Sequence, residues 1–197
     1  MIKKFALAAI AVTLLALGTA FMLPREWRVE RHVVINSTPQ RVHSMLFDLK
    51  RWQDWSVWTR TLDPQLRNAY EGPQDGVGAR WLWLGPKMGR GQIVIVASDP
   101  QKGIELDQAI ESETVNAHAS ITFTPEGSAT KVTWVDEGTL PLIAGGFFRS
   151  AMEQQLGANL ETSLTKLKTL IEAQTPPPLP PPLPPAEAAD AGQADAN

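Results

Sequence analysis

Three histidines and a scatter of carboxylates are the residues to weigh first for acid–base, metal or nucleophilic chemistry. His32, His43 and His118 stand far apart, and no pair has metal-ligand spacing. His32 and His118 alternate with polar neighbours on strand-like runs, which places them on a solvated face. His43 follows Val42 in a helical segment and reads as helix surface. No G-x-S-x-G elbow presents a serine nucleophile. The stretch GPKMGRG (85–91) has glycines but neither Walker nor dinucleotide spacing, so it reads as a hairpin turn. The chain has no cysteine, which excludes disulfides, thiolate metal sites and a cysteine nucleophile. No cofactor or metal is expected. Two carboxylate positions stay open: Asp107 beside Gln108, and Asp136 beside Glu137. Adjacent strand residues face opposite ways, so one of each pair points inward. An inward carboxylate in an apolar cavity has a raised pKa and can serve as an acid or base.

Tryptophan is the more informative side chain. Trp27, Trp52, Trp55, Trp58, Trp81, Trp83 and Trp134 stand against a single tyrosine, Tyr70. Indole brings a large apolar area and one N–H that needs a partner when buried. Such rings either fill a core or wall an apolar cavity, and a curved sheet gripping one helix leaves room for the second.

The element that must position these rings runs from about Phe147 to Ala173. Met152, Leu156, Leu160, Leu164, Leu167 and Ile171 recur at steps of three and four, one apolar stripe on a helix roughly 40 Å long. Gly145-Gly146 is expected to break or bend it near its start. Upstream, Trp27 to Asn36 alternates, with Trp27, Val29, Val33 and Ile35 on one face. Ser37 or Thr38 caps a helix that has Pro39 in its first turn. Val42, Leu46 and Leu49 form its apolar side, and a second short helix or turn holds Trp52, Trp55 and Trp58. Strand-like runs follow at 65–71, 79–84, 91–98, 104–113, 116–124 and 130–137. Gly-Pro, Asp-Gly, Asp-Pro and Pro-Glu-Gly turns separate them, the pattern of antiparallel hairpins. The reading is an α+β domain of six or seven strands and one long helix, with the helix lying across the sheet.

Two appendages flank it. Lys3 and Lys4 precede an uncharged apolar run, Phe5 to Leu23, of about bilayer-spanning length. It reads either as a signal peptide cut after Ala20 or as an uncleaved anchor; its continuation through Phe21, Met22 and Leu23 to Pro24 favours the anchor. The expected division is 1–25 anchor, 26–173 domain and 174–197 tail. The domain is expected on the periplasmic side of a bacterial inner membrane. The tail reads PPPLPPPLPP and then AEAADAGQADAN: polyproline II followed by a small acidic segment without a core, a spacer or a docking motif for a protein partner. The net charge is −3, from 21 acidic and 18 basic residues. Three of the acids, Glu187, Asp190 and Asp195, lie in the tail, so the body is neutral and no nucleic-acid partner is expected.

The runs RHVVINSTPQRV (31–42), KRWQDWSVW (50–58), GPQDGVGARW (72–81) and ITFTPEGSATKVTW (121–134), in this order before a long helix, resemble the polyketide cyclase/dehydrase-like family. That family belongs to the START-like helix-grip superfamily, also called SRPBCC. The resemblance runs from about Glu26 to Glu172. An apolar anchor ending in Leu-Pro-x-Glu-Trp is similar to a membrane-tethered subset. The resemblance implies seven antiparallel strands wrapped round the C-terminal helix, with a hydrophobic cavity between. It also implies lipids, sterols, hormones or polyketides as ligands and catalysis only in some members. The family has no universal catalytic motif, so no catalytic residue is carried over.

The first functional expectation is a binder of a hydrophobic small molecule or lipid, held at the membrane surface. Its cavity wall is expected from Trp55, Trp58, Trp81, Trp83, Ile104, Leu106, Trp134, Phe148, Met152 and Leu156. The alternatives are a cyclase- or dehydratase-type enzyme using an inward carboxylate, and an envelope interaction module using the Pro-rich tail.

Overall fold

The structure is a computed structural model and describes residues 4–5, 10–12, 14, 18–19, 22–110, 115–141 and 145–174. The strands are β1 (Glu26–Ile35), β2 (Arg67–Glu71), β3 (Arg80–Gly85), β4 (Gly89–Asp99), β5 (Gly103–Ile110), β6 (Val115–Glu126) and β7 (Ala129–Thr139). The helices are α1 (Pro39–Leu46), α2 (Trp52–Trp55) and α3 (Gly145–Ala173), with a 3-10 turn at Leu49–Arg51. The strands form one antiparallel sheet in the order β1-β7-β6-β5-β4-β3-β2. This is the helix-grip arrangement. Consecutive strands are hairpin neighbours from β2 to β7, as the turn residues demand. Only β1 and β2 are not neighbours: α1 and α2 carry the chain from β1 at one edge to β2 at the other, and β1 pairs with β7.

Period-two alternation gives the sheet one apolar face. Trp27, Val29 and Ile35 on β1, Trp81 and Trp83 on β3, Ile93 and Ile95 on β4, and Ile104 and Leu106 on β5 are all buried on it. So are Ala119, Ile121 and Phe123 on β6 and Val132 and Trp134 on β7. Helix α3 lies on this face, mainly against β1. Its stripe divides in two. Leu160, Leu164, Leu167 and Ile171 are buried against sheet and α1, whereas Met152 and Leu156 are only partly buried. Gly145 and Gly146 are the first residues of α3. They stand at the start of the described helix, and the Gly145 N–H donates to Pro141 O at 2.9 Å. Gly157 is buried over β1, and a Cβ there would come within 2.2 Å of the Arg31 guanidinium. The missing side chain lets the arginine lie beneath the helix.

Three local expectations need correction. Thr38 occupies the N-cap of α1 without a side-chain cap bond, and Pro39 supplies the preset first turn instead. Trp58 lies beyond the end of α2. His43 is buried, not on a helix surface; its Nε2 lies 2.8 Å from Ser98 Oγ and its ring stacks on Phe47 at 5.1 Å. Burial lowers the His43 pKa, and the nearby Asp99 charge opposes that only in part. Among the described residues no helix is long and apolar enough to cross a membrane. Much of the 5–23 run, the end of the expected 104–113 strand and the tail after residue 174 lie outside the described residues.

Asp63 pins the loop before β2 to the β3–β4 hairpin. It is fully buried, and Oδ2 accepts from the backbone N–H of Lys87 at 2.8 Å and Met88 at 3.1 Å. Oδ1 accepts from the N–H of Gln65 at 3.3 Å. The space exists because residue 85 is glycine: a Cβ there would sit 2.2 Å from Asp63 Oδ2. Burial alone would raise the pKa, but these three bonds and the Lys87 charge reverse it and hold the carboxyl below its ordinary value. A depressed folded pKa stabilises the fold above the unfolded value of about 3.9 and loses that contribution as pH falls through the folded value. Backbone bonds from Gln101 to Asp99 and from Asn36 to Glu172 give the same sign. Urea midpoints are therefore expected to fall steeply below about pH 4, and Asp63→Asn should flatten part of that slope. An unchanged slope in the variant would mean that Asp63 does not contribute to it.

Candidate functional site

Between the sheet and the N-terminal half of α3 the two layers do not close. They leave a cavity of about 430 Å³. The sheet supplies Trp27, Trp81, Trp83, Ile93, Leu106, Ile110, Val115, Ala117 and Trp134 to its wall; Trp52, Trp58, Met88 and Leu140 come from loops and α2. Helix α3 covers it with Met152, Gln155, Leu156 and Asn159. The opening of the layers follows from side-chain size. Leucines seal the helix against the sheet from Leu160 onward, while under Met152 and Leu156 the facing positions are indoles that pack against one another.

Those indoles are fixed. Trp134 lies edge-on to Trp52, Trp55 and Trp58, with ring centroids 5.6, 5.9 and 5.8 Å away, and Trp81 packs on Trp83 at 5.1 Å. Most of the N–H groups have acceptors. Trp52 donates to Leu46 O at 2.9 Å, Trp55 to Met45 O at 3.2 Å and Trp81 to Asn68 Oδ1 at 3.1 Å. Trp83 donates to Met88 O at 3.3 Å. The Trp134 N–H is buried without a partner. Two indoles lie against cross-strand glycines. Trp27 pairs with Gly138 and Trp83 with Gly91. A Cβ would come within 2.4 Å of the first ring and 2.2 Å of the second, so both glycines are required for the rings to lie there.

A polar cluster interrupts the apolar wall on the sheet side. Asp136 on β7 is 5% exposed. Its Oδ1 accepts from Trp27 Nε1 at 3.2 Å and its Oδ2 from Gln108 Nε2 at 2.7 Å. Burial pushes the carboxyl above its ordinary value, and the neighbouring Glu137 charge adds to the rise; the bonds from Gln108 and Trp27 oppose it without cancelling it. Asp107 and Glu137 face outward, where Asp107 pairs with His118 at 2.9 Å and Glu137 with Arg28. A wider groove of about 910 Å³ lies at this outer edge. It is open to solvent, and most of its charges pair with one another, including Arg149 with Glu153 at 3.3 Å. The cavity under α3 is therefore the better candidate site. Among the described residues no cluster of three or more His, Cys, Asp or Glu could hold a metal ion.

The model of the family described as polyketide cyclase/dehydrase and lipid transport matches residues 26–172. The chain belongs to that family. Solved structures share the helix-grip fold. TTHA0849 from Thermus thermophilus superposes with a TM-score of 0.55 at 19% identity, over 76% of this chain and 100% of its own. MLL2253 from Mesorhizobium loti gives 0.55 at 17%, over 77% and 99%. StfQ, a di-domain ARO/CYC from the steffimycin biosynthetic pathway, gives 0.59 at 14%, over 76% and 52%. At these identities the likeness shows the fold alone. No curated protein matches the sequence.

Within this helix-grip domain the residues expected at the wall separate into two groups. Trp58, Trp81, Trp83, Leu106, Trp134, Met152 and Leu156 come together around the cavity. Trp55, Ile104 and Phe148 do not line it. Trp55 is buried behind Trp134, Ile104 is buried one residue pair beyond Leu106 on β5, and Phe148 is 65% exposed. The wall also contains residues that the sequence reading did not place there, among them Trp27, Trp52 and the Asp136–Gln108 pair.

Proposed function

We propose that this polyketide cyclase/dehydrase-family chain binds a hydrophobic small molecule or lipid in the cavity under α3. The observation that carries the reading is the wall itself: mutually packed indoles and aliphatic side chains around about 430 Å³, with polar groups only at Asp136–Gln108 and at Gln155–Asn159. Burying apolar ligand surface contributes about 25 cal/mol per Å², so such a wall holds an apolar body without special chemistry. Native mass spectrometry of the full-length chain, extracted gently from its native membranes, is expected to show a bound mass of lipid or small-molecule size. A clean apo mass, together with no uptake of fluorescent fatty-chain probes, would overturn the reading.

The proposal includes tethering by the 5–23 run. Leu23 lies beside the start of α3, since a Cβ at Gly146 would come within 2.5 Å of the Leu23 Cβ. Phe147 and Phe148, 54% and 65% exposed, follow at once, and Met152 and Leu156 of the cavity wall lie one and two turns further along. This geometry supports an apolar end of α3 resting on the bilayer next to the cavity. Carbonate-washed membranes are expected to retain the chain, and protease added to spheroplasts is expected to digest the domain. Release by carbonate would refute the anchor; protection in spheroplasts would refute the periplasmic side.

A second reading is favoured by Asp136, a buried carboxyl with a raised pKa in a cavity wall. A cyclase- or dehydratase-type enzyme could use it as a single acid or base on an apolar substrate. It is the one ionisable side chain among the described lining residues, so acid and base steps would share one group.

A further inference from the structure

The Asp136 cluster has more acceptor capacity than the protein uses. A carboxylate offers about four lone-pair sites. Trp27 and Gln108 fill one on each oxygen with N–H donors, which orient the carboxylate in the wall and leave it an acceptor. Leu106, Ile110, Val115, Ala117 and Trp134, also on the sheet side of the cavity, carry no charge and no side-chain acceptor, and the one unpartnered donor among them, the Trp134 N–H, is buried. The other polar lining groups, Gln155 and Asn159, sit across the cavity on α3 and bond to each other, Gln155 Nε2 donating to Asn159 Oδ1 at 3.1 Å. A ligand polar group that reaches the sheet wall therefore meets an acceptor of one fixed position and no cation.

We infer that Asp136, held by Trp27 and Gln108, is a seat for a hydrogen-bond donor on the ligand, and that the ligand class is a neutral amphiphile with an apolar body and a hydroxyl group. The inference rests on the proposed ligand-binding reading and narrows it. A hydroxyl donates its proton to a carboxylate oxygen and forms a charge-assisted hydrogen bond, the stronger kind. At a pH where both groups are ionised, a fatty acid would bring a second carboxylate against the first in a water-poor site, where like charges repel strongly. An ether or ester of the same shape can only accept, and would leave the Asp136 oxygens facing an atom that has no proton. Discrimination thus comes from both an attractive and a repulsive element in one residue.

The test uses the full-length chain in lipid nanodiscs, with intrinsic tryptophan fluorescence as readout because the wall itself is fluorescent. The probes are 1-dodecanol, dodecyl methyl ether and dodecanoate. Wild type is expected to bind dodecanol about tenfold or more tightly than either of the others, the scale of one hydrogen bond to a charged group. Asp136→Asn is expected to shrink the gap between dodecanol and dodecanoate by about tenfold. Partitioning of each probe into the disc is the same for both proteins, so the change in the ratio is free of it. If Asp136→Asn does not fold, the alcohol-to-ether comparison on wild type decides, with each affinity referred to that probe's measured partitioning into empty discs. Equal binding of alcohol and ether overturns the inference while the cavity reading stands. Tighter binding of dodecanoate than of dodecanol overturns it as well. Loss of any response to all three probes overturns both, and is told apart by the absence of binding rather than of preference.

Discussion

Trp134→Ala is expected to lower the unfolding midpoint of the domain by roughly 10 °C, from a loss of about 3–5 kcal/mol. Trp134 is 2% exposed and stands at the centre of four indoles, edge-on to Trp52, Trp55 and Trp58 at 5.6 to 5.9 Å. Truncation removes the largest side chain of β7 and takes one partner from each of three rings, each such pair being worth about 0.5–1.5 kcal/mol beyond its area. The void cannot collapse, because it adjoins a cavity that is already open, so the cost sits at the upper end for a core truncation. Trp134→Phe is expected to lose far less. It keeps an aromatic edge for its neighbours and deletes the one buried indole N–H that has no acceptor. Calorimetry of the two variants checks the order. If alanine and phenylalanine proved equally mild, the indole cluster would not be what holds α2 to the sheet.

The fold is legible because its signals are local. Alternation on β1 and the turn residues between the later strands specify hairpins one at a time, and a sheet built of hairpins has little freedom of order. The stripe from Met152 to Ile171 specifies the face of α3. His43 departs from expectation because α1 is only eight residues long, and the side of it that Ser98 covers is set by β4, far away in sequence.

The site is legible by face but not by position along the face. Ile104 and Leu106 share the inward side of β5, but the cavity reaches only the half of the sheet under Met152 and Leu156. Where the leucines of α3 close down, an inward side chain is core. Phe148 continues the α3 stripe by one step of four, but there it is exposed to solvent. The Asp136 cluster is half visible: alternation requires one of Asp136 and Glu137, and one of Asp107 and Gln108, to point inward. That the two inward members meet, with Trp27 as a third, depends on the β1–β7–β6–β5 register across 28 and 109 residues of sequence. A usable signal is present in the glycines. Gly138 and Gly91 are strand residues with no turn to make, and a glycine inside a strand marks a close approach, here that of an indole.

That division between face and position makes Leu156→Trp the variant with the largest expected effect on binding. Leu156 lines the cavity from a partly buried position on α3, so a larger side chain needs no change in the backbone or in the sealed leucines beyond it. Its indole should turn into the cavity, where it finds apolar partners, and occupy space that a ligand needs. If about 100 Å² of ligand contact is lost, the cost at about 25 cal/mol per Å² is about 2.5 kcal/mol, or nearly a hundredfold in Kd. Stability should stay within about 1 kcal/mol of wild type, since the space being filled is empty rather than packed. Phe148→Trp is the matched control. The same residue type is introduced two turns earlier on the same helix, at a side chain that faces solvent, and it should leave affinity unchanged. Titration of both variants with 1-dodecanol separates the possibilities. If Leu156→Trp binds as wild type does, the ligand does not occupy the cavity under α3. If Phe148→Trp is the damaging one, the apolar end of the helix rather than the cavity holds the ligand.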